Sequence, residues 1–377
     1  MPEPTLLRRA RLAAQAPAAR TGKPSDVIRQ VSWRRVREPV SGRSYTVLQI
    51  VTGRGLVGYG ECGPIDPRET QAAAEALRDE DPSAYEVIRT RLAAVAGAHA
   101  AVNMALLDIL GQRAGAPVYQ LLGGPTRNKV RVLATLEGAT EDELKRAAEG
   151  ALRAGYKALS VPLPEVRAPN QGQAFVLAVR KRLEDLRAAT GPGVDFVLDA
   201  AARLSPGDAA SVAAALERFH LLWLDEPCPM LNLGALRKIS DETVTPVGYG
   251  RAIHQAAQFQ DLLREGLIDV LRPDIALNGI SPIRRMAAIA ETYYVAVAPF
   301  HRGGPIGTAA AIHLAASLPH FFIQQIPLPV DAKDRAMRAA LTSGSIEAPK
   351  DGFVALLTGP GLGIRVNEEA LREYATS

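Results

Sequence analysis

Three polar residues stand at equal intervals in the middle of this chain: Asp199, Asp225 and Arg251, each 26 positions after the last. Each closes a short apolar run, in FVLDAA, LLWLDEP and TPVGYGR, and a helix-like segment separates each run from the next. Such alternation marks parallel strands buried on both faces and joined by helices. In a parallel barrel the side chains at the carboxyl ends of the strands face one common point, where such a barrel keeps its chemistry. A guanidinium placed there between two carboxylates can pair with both.

These residues resemble the enolase superfamily, in its mandelate racemase and muconate-lactonising branch. The resemblance implies one carboxylate from each of the third, fourth and fifth barrel strands, converging on a magnesium ion. Asp199 and Asp225 match the first two ligand positions, and Arg251 stands in place of the third acid. The stretch AVNMALLDILGQRAGAPVYQLLGG resembles the family's capping-domain helix and its exit loop, and DGFVALLTGPGLGIRVNEEALREY resembles its C-terminal segment. The likeness runs over about residues 27–374.

The strands must place these groups. Residues 27–62 read as three strands with Gly-containing turns, a small antiparallel sheet, and residues 68–122 carry helical periodicity. From Val130 onward, strands are expected near 130–135, 157–163, 195–199, 221–225, 245–250, 268–273, 294–299 and 321–325. Eight strands with crossover helices make an α/β fold, a (β/α) barrel of the modified (β/α)7β kind, under an α+β capping domain. The division read here is a flexible tail over 1–26, a cap over 27–128, a barrel over 129–330 and a segment over 331–377 that returns to the cap.

The family's chemistry removes a proton next to a carboxylate, with a Lys or His base and magnesium holding the ene-diolate. At the Lys-x-Lys positions of the second strand this chain has Ser160 and Pro162; Lys157 has the opposite strand parity and reads as a solvated lysine. The sixth strand keeps Asp274 as the residue that would orient a base, but Phe300 stands where the histidine of the seventh strand belongs, and His301 follows one step on. A one-residue step turns a strand side chain to the other face, so His301 is a candidate base only if the strand has ended, and otherwise a loop histidine bonded to backbone. Asp274 and His301 are therefore the catalytic candidates. Ser160, Arg251 and Arg43 are the substrate-binding ones, with Arg43 in an arginine-rich loop that also holds Arg34, Arg35 and Arg37. Ala201 stands where many members carry Asn.

Charge bears on the metal. At about 4 Å and an effective dielectric of about 20, a unit pair is worth about 4 kcal/mol, so losing one carboxylate from a divalent ion forfeits about 8 and a guanidinium adds comparable repulsion. A quarter of that sum lowers affinity roughly a thousandfold. Magnesium is thus implied by the resemblance and opposed by Arg251. Two functions follow as expectations: a dehydratase or racemase of an acid sugar or related carboxylate with an altered constellation, or a catalytically silent homologue that binds an acidic ligand or a partner.

Composition narrows the field. The chain has 377 residues, 47% of them hydrophobic, enough for a large core. A net charge of +4, no long basic run and 5% aromatics give nucleic acid binding no support. No apolar stretch approaches a membrane span. Cys62 and Cys228 form no metal-binding spacing and fit a reducing compartment, and Cys228 reads as a plain buried thiol. The expected protein is cytoplasmic, takes a small carboxylate, and is a homo-oligomer by resemblance. The glycines of HRGGPIG and GPGLG lack the strand-loop-helix phosphate signature and read as turns.

Overall fold

The structure, a computed structural model, describes residues 26–376 except 168, 230–232 and 255. The expected tail thus lies outside the described residues, apart from Asp26. The first sheet has strands β1 (Ile28–Arg37), β2 (Ser44–Thr52) and β3 (Val57–Cys62) in antiparallel order. Helix His99–Ala114 packs on it, because Gly58 and Gly60 leave no Cβ to strike the backbone of Ala105 and Ala101. Arg34, Arg35 and Arg37 belong to β1 itself, which corrects their placement in the following loop; of the four arginines only Arg43 lies there.

The parallel strands are β4 (Lys129–Thr135), β5 (Ala158–Pro162), β6 (Asp195–Asp199), β7 (Leu224–Asp225), β8 (Val247–Tyr249), β9 (Val270–Leu271), β10 (Ala296–Val297) and β11 (Gln324–Gln325). Each pairs with the next from β4 to β10, and β11 pairs with β4. A parallel bridge from Val297 to Phe321 closes the ring. Two short strands follow: β12 (Phe353–Ala355), antiparallel to β4, and β13 (Ala375–Thr376), antiparallel to β1. The first and the last of the described strands therefore pair in one sheet. No helix among the described residues is long and apolar enough to cross a membrane.

The barrel interior is layered. Leu133, Ala158, Val197, Trp223, Val270, Ala298 and Ile323 form one apolar cluster, one residue from each of seven strands or their edges. The remaining strand contributes Gly248, because a Cβ there would overlap the Trp223 indole. Strand side chains repeat with period two. Two positions further on come Thr135, Ser160, Asp199, Asp225, Arg272, Phe300 and Gln325, a second layer that is mostly polar.

Candidate functional site at the barrel mouth

The second layer is a chain of hydrogen bonds. Arg251, just past β8, donates from Nη1 to Asp199 Oδ2 (3.0 Å) and from Nη2 to Asp225 Oδ2. Its guanidinium lies over the Phe300 ring, 4.4 Å from the centroid. Arg272 approaches Asp225 from the other side, Nε to Oδ1 at 3.0 Å and Nη2 to Oδ2 at 3.1 Å. Its Nη2 also donates to Gln325 Oε1 (2.6 Å), its Nη1 donates to the Ala298 carbonyl, and Gln325 Nε2 donates to Thr135 Oγ1 (2.7 Å). Six side chains, Asp199, Arg251, Asp225, Arg272, Gln325 and Thr135, are thus linked around the barrel. Ser160 fills the gap between the ends, buried, with no partner for its hydroxyl.

Charge neutrality explains the arrangement: two carboxylates and two guanidiniums can share a dry site only in pairs. Burial alone would raise the Asp225 carboxyl, but Arg251 and Arg272 hold it below the ordinary value. Burial lowers the Arg272 guanidinium, and the like charge of Arg251 adds to this. Glu226 is lifted by burial and by Asp225. Its Oε1 accepts the N–H groups of Gly250 (2.7 Å) and Arg251 (2.8 Å), so it fixes the backbone from which Arg251 reaches inward. Glu226 has φ +46° and Ala201 φ +48°, conformations that L-residues adopt at a cost and that concentrate at functional sites.

These donors do not fit a magnesium ion. Among the described residues no group of three His, Cys, Asp or Glu is arranged to hold a metal. Both oxygens of Asp225 are hydrogen-bonded to guanidinium groups, and Asp199 accepts from Arg251 through one oxygen and from the Ala201 N–H (2.9 Å) through the other. A hard divalent ion needs oxygen lone pairs, and here guanidinium groups and one backbone N–H already engage all four oxygens.

The other candidates separate. Asp274 stands at the mouth beside Phe300, its backbone bridged to that residue. Burial pushes its carboxyl up to about 7, against a hydrogen bond from the Ala276 N–H (2.8 Å). His301 is not brought to Asp274. It is fully buried, its Nε2 lies 3.0 Å from the Gly304 carbonyl, and burial pulls it down to about 4. Arg43 pairs with Glu137 (2.9 Å) at the end of β4, so the loop after β1 is tied to the barrel rim. Asp334 fastens the same loop by accepting the N–H groups of Val40 and Ser41, each at 2.8 Å. Lys157 is exposed, and burial raises the Cys228 thiol to about 11.

Sequence reasoning missed Arg272, Gln325 and Thr135. The signal was present for Arg272: it lies two residues before Asp274 and shares its strand face. A cavity of about 890 Å³ opens between helix Glu141–Arg153 and residues 328–335. It touches the polar layer at Thr135 and carries Arg146 and Arg335; none of Asp199, Asp225, Arg251 and Arg272 lines it.

Comparison with known proteins agrees with this architecture at both ends. Residues 27–123 match the model of the mandelate racemase / muconate lactonizing enzyme N-terminal domain, and residues 143–370 match that of the enolase C-terminal domain-like family. A D-galactonate dehydratase family member of Streptomyces bingchenggensis is 30% identical, over 87% of this chain and 89% of that protein. The D-mannonate dehydratase of a Sphingomonas species is 29% identical, over 88% and 92%. The crystal structure of a mandelate racemase/muconate lactonizing enzyme-like protein from Rubrobacter xylanophilus superposes with a TM-score of 0.83 at 26% identity, covering 94% of this chain and 98% of that one. With both domain models matched in order and the barrel and cap laid out as the structure has them, the chain belongs to the enolase superfamily, in its mandelate racemase and muconate-lactonising branch.

Proposed function

We propose that this chain binds a small acid-sugar carboxylate of the kind named in its dehydratase relatives, by arginine rather than by a divalent ion, and does not dehydrate it. The observation that carries this reading is Arg251 bridging Asp199 and Asp225. It removes the Lewis acid on which an ene-diolate depends, while Ser160, Pro162 and Phe300 occupy the family's base positions. A guanidinium supplies one delocalised charge, enough to bind a carboxylate and too diffuse to hold a doubly charged intermediate. Calorimetry and thermal shift with a panel of hexonates and uronates test it. Binding that EDTA leaves unchanged, without release of a keto-deoxy acid, is expected; magnesium-dependent turnover overturns it.

One observation favours a second reading, that of an enzyme acting on the same substrate class. Asp274 stands at the mouth beside Phe300, and burial pushes its carboxyl up to about 7, toward the range that suits a general base at neutral pH. Proton exchange at the carbon next to the carboxylate, followed by NMR in D2O and abolished by Asp274→Asn, supports that reading. Absence of exchange across the panel rejects it.

A further inference from the structure

The two arginines are not equivalent, and the structure separates what each does. Arg251 makes two side-chain hydrogen bonds, keeps 13% of its side chain exposed, and stands at the open end of the barrel. Arg272 is fully buried and fixed by Asp225, Gln325 and the Ala298 carbonyl, with its guanidinium 4.8 Å from the Trp223 ring and 5.8 Å from that of Phe300. One borders solvent. The other is enclosed.

Their attachment to Asp225 also differs. Arg272 uses the Nε–Nη2 edge of its guanidinium as a fork, one donor to each carboxylate oxygen, and so takes the edge that the two oxygens share. Arg251 reaches only Oδ2, as a third donor. Restoring an acid at position 251 would return the missing ligand and free one lone pair of Asp225, but the shared edge would stay occupied by a cation that burial prevents from leaving.

We propose that Arg272, together with Arg251, makes this barrel metal-independent: it is a buried cationic lock on Asp225 that would persist if Arg251 were replaced, and Arg251 is the outer half. This rests on the reading that the mouth works without an ion, and it deepens that reading by assigning a share of the exclusion to a residue outside the family's ligand positions. A second positive charge kept within about 6 Å of a divalent ion costs at least about tenfold in affinity even after strong discounting for screening.

The test is magnesium and manganese calorimetry on four full-length proteins: the native chain, Arg251→Glu, Arg272→Gln and the double variant, each checked for folding by near-UV circular dichroism. No binding is expected in the native protein or in Arg272→Gln, binding no tighter than millimolar in Arg251→Glu, and at least tenfold tighter binding in the double variant. Should the Gln variants fail to fold, Arg251→Glu with Arg272→Met removes both the charge and the fork while keeping much of the side-chain volume, and a gain over Arg251→Glu alone is again expected. Equal affinity of Arg251→Glu and either double variant overturns the lock while leaving the metal-free reading intact. Metal uptake by the native protein overturns both.

Discussion

The carboxylate of Glu61, at the end of cap strand β3, accepts the backbone N–H groups of Gly304 (2.5 Å) and Gly307 (3.1 Å), so a residue of the cap closes the N-terminus of a barrel helix, Pro305–Ser317. Free N–H groups and the helix dipole favour an anion there, but this anion is wholly buried. Burial wins: it pushes the Glu61 carboxyl up to about 7, against the two backbone donors and Arg338, with Glu347 adding to the rise. Because the folded value lies above the unfolded one, the contribution to stability is fully present below about pH 4.5 and is lost as pH rises through about 7. Glu61→Gln removes this dependence. Between pH 4.5 and 8 the difference in unfolding free energy between native protein and variant should change by about 3 kcal/mol at most. Asp274 and Asp108 have the same sign and remain in both proteins. Parallel curves would sink the assignment.

The glycines of HRGGPIG exist for that contact. A Cβ on Gly304 would lie 2.6 Å from Glu61 Oε2 and overlap the Tyr45 ring, and one on Gly307 would overlap His301 and reach Glu61 Oε1 at 2.8 Å. Neither has room, since Tyr45, Glu61 and His301 are all buried. Gly304→Ala should cost about 1–3 kcal/mol, as overpacked cores do. Urea unfolding measures it, and a loss under about 0.5 kcal/mol would mean that the cap yields.

What was legible in the sequence follows from periodicity. All eight barrel strands lie where apolar runs of the right length predicted them, and β6 spans residues 195–199 as read. The polar layer was half legible. Asp199 and Asp225 end their runs and so announce themselves. Thr135, Arg272 and Gln325 were hidden because their importance depends on which strands close the barrel, and β11 beside β4 brings Gln325 to Thr135 across 190 positions of sequence. The cradle of HRGGPIG was read as a turn because its occupant, Glu61, lies 243 positions away from Gly304. Local rules see turns and faces; they do not see what a distant segment inserts.

The different burial of the two arginines has a stability consequence. Arg272→Ala strips a fully buried carboxylate of its fork and empties a space against Trp223, so it should cost about 3–5 kcal/mol. Arg251→Ala leaves Asp225 paired with Arg272, and Asp199 is partly exposed, so a smaller loss of about 1–2 kcal/mol is expected. Chemical denaturation of both variants gives the order, and a larger loss for Arg251→Ala would contradict the inner-and-outer arrangement.

His301 should not titrate near neutrality. Burial pulls its imidazole down to about 4, with Arg338 and Arg43 adding positive charge nearby and Glu347 opposing them. The ring is therefore neutral at pH 7, with Nε2 and the Gly304 carbonyl in hydrogen-bonding distance. In the Glu61→Gln variant, which removes the neighbouring carboxyl pushed up to about 7, the Cε1 proton shift of His301 in two-dimensional NMR should stay constant between pH 5.5 and 8. A titration with a midpoint above pH 6 would restore it as a candidate acid–base group.

The C-terminal segment should be as necessary to the cap as the cap's own sheet. It leaves the barrel along β12, where Gly352 donates to the Gly155 carbonyl (2.7 Å) and accepts from Val132 (2.9 Å). It then runs beneath helix His99–Ala114, where the Leu362 N–H reaches the buried Asp108 Oδ1 (2.9 Å) and the Gly361 carbonyl accepts from Val118 (2.9 Å). Asp108 has little other choice of partner: burial raises its carboxyl to about 6, and its second oxygen takes the Tyr59 N–H (3.0 Å) of β3. One carboxylate therefore ties the tail to the first sheet. Further on, Glu368 accepts from Gln49 (2.8 Å) and the Tyr59 hydroxyl (3.1 Å), and β13 adds to β1. Deleting residues 350–377 would expose the surfaces under Val354, Leu362 and Leu371, each at most 2% exposed, and take from Asp108 Oδ1 its Leu362 donor. A loss of several kcal/mol is expected, enough to unfold the cap. The milder variant Leu362→Ala should fold with a loss of about 2–5 kcal/mol and retain a single unfolding transition by calorimetry, because cap and barrel share this segment. A truncated protein that melts like the native one, or two separated transitions in Leu362→Ala, would show that cap and barrel fold as independent units.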